Sequence, residues 1–201
     1  PVSLIARPMP VELAREAFAL YMEYPGAMSV FCDGRTYRDT VAMERFARRN
    51  ARRGSTEARQ PNDGRFTVVR DLTEWMSRHA HEVEKFCMFF DTVEQAQAAL
   101  PRFRALAGAE VVQGSPDNIE LTAQGVDKGT ALLALADLLH IPRESTVAVG
   151  DSENDRAMLE KAGIAAVMAN GMPHIQALAD LVSTNDCDHD GVAELFERLG
   201  L

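Results

Sequence analysis

The spacing of apolar and polar residues divides this chain into two stretches with different rhythms. In the first, residues 10–24 place Val11, Leu13, Ala14, Ala17, Phe18 and Tyr21 at helical intervals, behind a short strand-like run at 2–6 that Pro8 ends. Residues 28–32 form an apolar run closed by Asp33-Gly34, which predicts a hairpin with 35–37. A basic amphipathic helix is expected over 39–53, a polar loop over 54–64 and a short strand over 66–70. A helix over 72–83 then leads into a buried strand, KFCMFF, at 85–90. Thr92 or Asp91 caps the next helix, which runs towards Gly108 with a kink or break expected at Pro101. Residues 110–113 and 118–122 read as two strands of a hairpin around 114–117. This order predicts a sheet with helices on one face, an α+β unit.

From about residue 124 strands and helices alternate instead. Helices are expected over 129–140, 154–162, 173–179 and 192–199, with strands at 146–149, 164–168 and 181–183. That alternation indicates a parallel sheet with right-handed crossovers. Its centre is Ser145–Asp155, STVAVGDSEND, where a buried strand stops at Gly150 and Asp151 follows at its C-terminal end. Ligands bind at that end of open α/β sheets. Asp151 and Asp155 lie a helical turn apart, so both can face one site, and oxygen donors of this kind suit Mg²⁺. They can equally serve as acids capping a helix N-terminus.

Composition narrows the partners. The chain has 201 residues, a net charge of −9 and a hydrophobic fraction of 46%. Non-specific binding to nucleic acid or to a membrane surface is disfavoured by that charge. Cys32, Cys87 and Cys187 are odd in number and lack CxxC spacing, which fits a reducing cytoplasm. No apolar run approaches the roughly 18 residues of a membrane span, and no signal peptide opens the chain. Within the basic helix, Arg45, Arg48, Arg49, Arg52 and Arg53 cluster; a solvated face is the first reading and a phosphate-steering patch the second.

VDKGTALLALADLL (126–139), VAVGDSENDRAML (147–159), AGIAAVMANGMPHIQALADLVST (162–184) and DGVAEL (190–195) occur in one order at compatible spacings. This C-terminal half resembles a haloacid dehalogenase (HAD) superfamily phosphatase, most like its Cof-type, class IIB branch. The resemblance implies a HAD-like Rossmannoid partial core with a parallel sheet over 124–201, preceded by an α+β cap domain over 1–123 that sets substrate choice. It makes Asp151 the Mg²⁺ ligand, with Asp155 acting beside it directly or through water. Asn154 faces the phosphate side in that family, and Asn170 matches an asparagine at the rim, although Asn170-Gly171 departs from the family's Asn-Ala pair. Lys128 matches the lysine that bridges the nucleophilic aspartate and the substrate phosphate. It also stands at a helix start, where the dipole disfavours a cation.

The family's reaction begins at an aspartate in a DxDGT motif, and no such run occurs here. Asp188-His189-Asp190-Gly191 spells DxDG but follows Thr184-Asn185-Asp186 rather than a buried strand, and Cys32-Asp33-Gly34-Arg35-Thr36 has Phe31 where an aspartate belongs. The resemblance therefore implies a phosphatase of small phosphorylated metabolites, such as sugar phosphates, lacking its nucleophile segment and inactive alone. The alternative is a non-catalytic module that binds a metabolite or a protein on the same scaffold. An apolar strand at 146–149 without its usual neighbour is expected to invite self-association.

Overall fold

The computed structural model describes residues 5–52 and 66–201. The loop expected at 54–64 lies outside them, as does most of the strand expected at 2–6, and residues 5–10 carry no regular structure. The chain divides into two compact units, Pro1–Gln124 and Gly125–Leu201.

The first unit contains α1 (Val11–Met22), β1 (Gly26–Cys32), β2 (Arg35–Asp39), α2 (Thr40–Arg52), β3 (Thr67–Val69), α3 (Leu72–His79), β4 (Val83–Phe90), α4 (Val93–Arg104), β5 (Ala109–Val112) and β6 (Asn118–Ala123). Its six strands pair in the order β3-β2-β1-β4-β6-β5, antiparallel except for β2 with β3. Asp33 and Gly34 join β1 to β2 with φ of 48° and 66°, the positive values that tight hairpin turns demand. Alternation along the strands sends Met28, Val30, Phe86, Met88, Phe90, Ile119 and Leu121 to one face. There they meet Leu13, Ala17 and Phe18 of α1, Leu72 and Met76 of α3, and Ala96, Leu100 and Phe103 of α4. Tyr21 is buried among these rings, and its hydroxyl donates to the Ile119 carbonyl at 3.1 Å.

Three details differ from the sequence reading. Helix α3 stops at His79, because a 3₁₀ turn at Ala80–Glu82 delivers the fully buried Val83 to the start of β4. Helix α4 runs through Pro101 to Arg104. Proline there removes a single hydrogen bond near an exposed helix end, which is tolerable. Helix α2 does not join the other helices: Phe46 and Arg49 meet Phe89, which points to the opposite face of β4. Guanidinium-over-ring stacking replaces aliphatic packing on that side, with Arg38 3.9 Å from the Phe46 centroid.

The second unit holds α5 (Lys128–Leu138), β7 (Val147–Gly150), α6 (Arg156–Lys161), β8 (Ile164–Val167), α7 (Pro173–Gln176), β9 (Leu181–Val182) and α8 (Gly191–Leu199). Its sheet is parallel, in the order β7-β8-β9 with β7 at one end. Helix α5 lies tightly on α6: a Cβ at Gly129 would sit 2.1 Å from the Ala157 carbonyl oxygen, so only glycine fits. Ala148, Leu159, Ala162, Ala165, Val167 and Ile175 form the main core of this unit. Together the elements make the mixed α/β fold that the alternation of strands and helices predicts.

Candidate active site at the end of the parallel sheet

Strand β7 ends at Gly150, and the chain turns through a 3₁₀ segment, Glu153–Asp155, into α6. A Cβ at Gly150 would lie 2.5 Å from the Asp155 Cβ, so the absence of a side chain there lets Asp155 fold back under the strand end. Asp155 is 5% exposed, and both of its oxygens are engaged. Oδ2 accepts the backbone N–H groups of Asp151 at 3.0 Å and Ser152 at 3.4 Å, while Oδ1 accepts Lys128 Nζ at 2.5 Å. Burial alone would raise this carboxyl, but the Lys128 ammonium and the two amides outweigh it and hold it below the usual carboxylate range.

Lys128 opens α5, whose N-cap is Asp127, accepting Thr130 N–H at 2.6 Å. Asp127 is also paired with Lys161 Nζ at 3.0 Å. Against a burial effect in the other direction, Thr130 and Lys161 keep its carboxyl low. The cap therefore stays anionic directly behind Lys128 and offsets the unfavourable helix dipole there. Ser152 donates its hydroxyl to Asn154 Oδ1 at 2.8 Å, which orients that amide within the turn.

Asp151 is exposed, and its carboxylate has no hydrogen-bond partner among the described residues. Its backbone carbonyl accepts Met172 N–H at 2.9 Å and so ties the loop after β8 to the end of β7. Asn170 lies in that loop, where its Oδ1 accepts Cys187 N–H at 3.0 Å. The structure thus joins Lys128, Asp151, Asn154 and Asp155 through one turn, and places Asn170 on the neighbouring loop, engaged with the 185–190 turn. Lys161 and the close approach at Gly150 are supports that the sequence reading did not single out. The pairing of Lys161 with Asp127 spans 34 residues, so no local pattern announces it.

The two DxDG-like segments form turns. Asp190 has a φ of 59° and begins α8, and His189 pairs with Asp186 at 2.6 Å. Asp33 is a turn residue, and the neighbouring Cys32 thiol is buried beside Glu82 and pushed up to about 12.

Among the described residues no group of three or more His, Cys, Asp and Glu could hold a metal ion. The unpartnered Asp151 carboxylate is a hard oxygen donor of the kind Mg²⁺ takes, one or two at a time alongside water. The donor chemistry at Asp151 is compatible with that ion, while Asp155 is committed to Lys128 and the backbone.

A family profile described as haloacid dehalogenase-like hydrolase matches residues 3–196. Phosphatase YwpJ of Bacillus subtilis (strain 168) is 39% identical over 106 residues, which is 53% of this chain and 37% of that protein. From the same organism, 5-amino-6-(5-phospho-D-ribitylamino)uracil phosphatase YcsE is 32% identical over 118 residues, 59% of this chain and 47% of its own. This chain spans less than half the length of these two curated relatives. A solved haloacid dehalogenase-like hydrolase from B. subtilis superposes with a TM-score of 0.77 at 26% identity, covering 96% of this chain and 72% of that chain. A HAD/COF-like hydrolase from Plasmodium vivax, 17% identical with a TM-score of 0.77 over 99% of this chain and 67% of its own, shares the fold. With the family profile running through nearly all of its residues, the chain belongs to the haloacid dehalogenase-like hydrolase family.

Proposed function

We propose that this chain carries the electrostatic part of a Mg²⁺-dependent phosphatase site acting on small phosphorylated metabolites, sugar phosphates among them. The observation that carries the reading is the division of labour between two aspartates. Asp155 is wholly engaged by Lys128 and the turn amides, and Asp151 is left as the free carboxylate at the strand end. Both named relatives are phosphatases, which supports a phosphate ester as substrate.

In this reading Lys128 binds one substrate phosphoryl oxygen with the N–H donors that Asp155 does not use. Asp155 orients the ammonium. Asn154 offers its amide N–H₂ to a second oxygen, since Ser152 holds the amide oxygen. Asn170 braces the rim through Cys187. Mg²⁺ anchored at Asp151 would neutralise charge on the transferring phosphoryl group. Residues 1–123 act as the substrate-selecting cap and 124–201 as part of the core, in the cytoplasm. Among the described residues no helix is long and apolar enough to cross a membrane. Strand β7, at the end of its sheet, offers an edge for association with a further strand or a second copy.

No DxDGT run occurs in the sequence, so the reading assigns no attacking carboxylate to this chain. The chain alone should hydrolyse p-nitrophenyl phosphate no faster than Mg²⁺-containing buffer. A separately made core segment carrying DxDGT should restore turnover, and Lys128→Ala should then reduce it about 10²–10³-fold. Independently of activity, Mn²⁺ binding followed by electron paramagnetic resonance should be weak and should vanish in Asp151→Ala. Turnover by the chain alone that is lost on changing Asp33 or Asp188 would overturn the reading. Metal binding that survives Asp151→Ala would overturn the metal assignment.

A further inference from the structure

Helix α2 concentrates positive charge in a protein of net charge −9. Arg45, Arg49 and Arg52 recur at i, i+4 and i+7, so they share one side of the helix. Like charges at these spacings repel, which makes the cluster a local cost without a helical benefit at Arg45. All three line an open pocket walled by Ala27, Phe89 and Phe90.

Their roles in the pocket differ. Arg49 is already neutralised: it forks onto the buried Asp117 at 2.8 and 3.2 Å and lies 4.1 Å above the Phe89 ring centre. Ser115 donates to the other oxygen of Asp117 at 2.6 Å. Arg45 is half-buried and makes one bond, from an Nη to the Gly26 carbonyl at 2.7 Å, with no carboxylate partner among the described residues. Arg52 is exposed and has no partner among the described residues. With Asp117 spent on Arg49, the lining retains two guanidinium groups against the single carboxylate of Asp91. Seven residues separate Arg45 from Arg52 on the helix, about 10 Å of axial rise, and two extended arginine side chains can converge across that span on one oxyanion. Planar guanidinium forks match phosphate geometry.

We propose that Arg45 and Arg52 form an anion site on the first unit that takes the phosphoryl group of a small organic phosphate, with the Arg49–Phe89 stack as its floor. The site stands on the first unit alone and does not depend on the chemistry assigned to Lys128 and Asp151.

Inorganic phosphate is the probe, titrated calorimetrically into the whole chain at constant ionic strength with EDTA present. Saturable binding should weaken at least tenfold in Arg52→Gln and further in the double variant R45Q/R52Q. Arg48→Gln removes the same charge from the same helix outside the pocket and should change affinity less than twofold. The Nε–Hε resonances of Arg45 and Arg52 should shift on addition of phosphate, with those of Arg48 unmoved. Because Arg52 has no structural partner among the described residues, its variant should keep the wild-type circular dichroism spectrum. Equal weakening by R48Q and R52Q would reduce the effect to general charge and overturn the proposal. So would undiminished binding in R45Q/R52Q, or no saturable binding at about 10 mM phosphate.

Discussion

The core of the first unit is built from rings, with Tyr21, Phe86, Phe90 and Phe103 almost fully buried, whereas the second unit buries Ala148, Ala162 and Ala165 around Leu159, Val167 and Ile175, and Ala166 beside Met168 and Leu195. Fully burying a phenylalanine is worth roughly 2–3 kcal/mol, and an alanine methyl about 0.8. Position for position, the hydrophobic contribution to the second unit is therefore smaller. Polar locks take up the difference. Asp155 gathers Lys128 and two amides, Asp127 gathers Thr130 and Lys161, and Glu194 accepts the N–H groups of Thr184 and Asn185. The second unit also leaves Leu135, Leu138 and Leu139 exposed on and just beyond α5. One unit rests mainly on apolar area; the other depends on carboxylates staying ionised, which is how the same residues come to build a charged site.

That contrast can be broken in several ways. Phe86→Ala, which empties a wholly buried position beside Phe18 and Tyr21, should destabilise the first unit by about 3–5 kcal/mol. Hydrogen exchange resolved by residue should show the second unit unaffected. Equal loss of protection in both units would mean that they unfold as one and that the comparison fails.

A smaller effect is expected of Gly129→Ala. The new methyl would overlap the Ala157 carbonyl, force α5 off α6 and cost about 1–3 kcal/mol, confined to residues 125–201. It should also lengthen the Lys128–Asp155 contact, so Mn²⁺ binding and unit stability would change together.

Acid should act more on the second unit than on the first, where the exposed Glu23, Glu82 and Glu94 are the carboxyls held low among the described residues. Asp127, Asp155 and Glu194 all have carboxyls held low, the last pushed down to about 2 by the Thr184 and Asn185 amides. A folded-state value below the unfolded one contributes stability above the unfolded value, near pH 4, and that contribution is lost as pH falls through the folded one. Amide protection in 125–201 should therefore fade below about pH 4, ahead of the aromatic core signals. Lys128→Met removes the ammonium from a buried carboxylate. Because half of the lysine is in solvent, the loss near neutrality should be only about 1 kcal/mol, shrinking to nothing in acid. An undiminished loss at low pH would exclude an electrostatic origin.

The mildest test returns to the first unit. Thr92→Ala removes the capping box at the start of α4, where Thr92 and Gln95 exchange backbone and side-chain hydrogen bonds, and should cost about 0.5–1 kcal/mol. That loss should vary with pH only through the exposed Glu94, whose carboxyl the Thr92 hydroxyl helps to hold low, in contrast to Lys128→Met.

Much of this was legible in the sequence because it is local. The Asp33-Gly34 turn, the Thr92 cap, and the run 146–149 breaking at Gly150 into Asp151 and Asp155 are set by steric limits and hydrogen bonds within a few residues. The sequence alone therefore determined most elements and, through motif order, four candidate site residues that the fold joins through one turn. Tertiary structure decided the rest. Lys128 and Asp155 meet across 27 residues, and only the packing of α5 on α6 at Gly129 brings them together. That contact spends Asp155 and leaves Asp151 free, a distinction two identical side chains cannot carry in a sequence. Helix α2 makes the same point: its arginines read as a solvated face, yet Phe89 and Asp117 draw Arg49 onto the open side of the sheet. Periodicity gives a helix its apolar and polar sides, but the partner each side finds is chosen by long-range packing and charge, which leave no local trace.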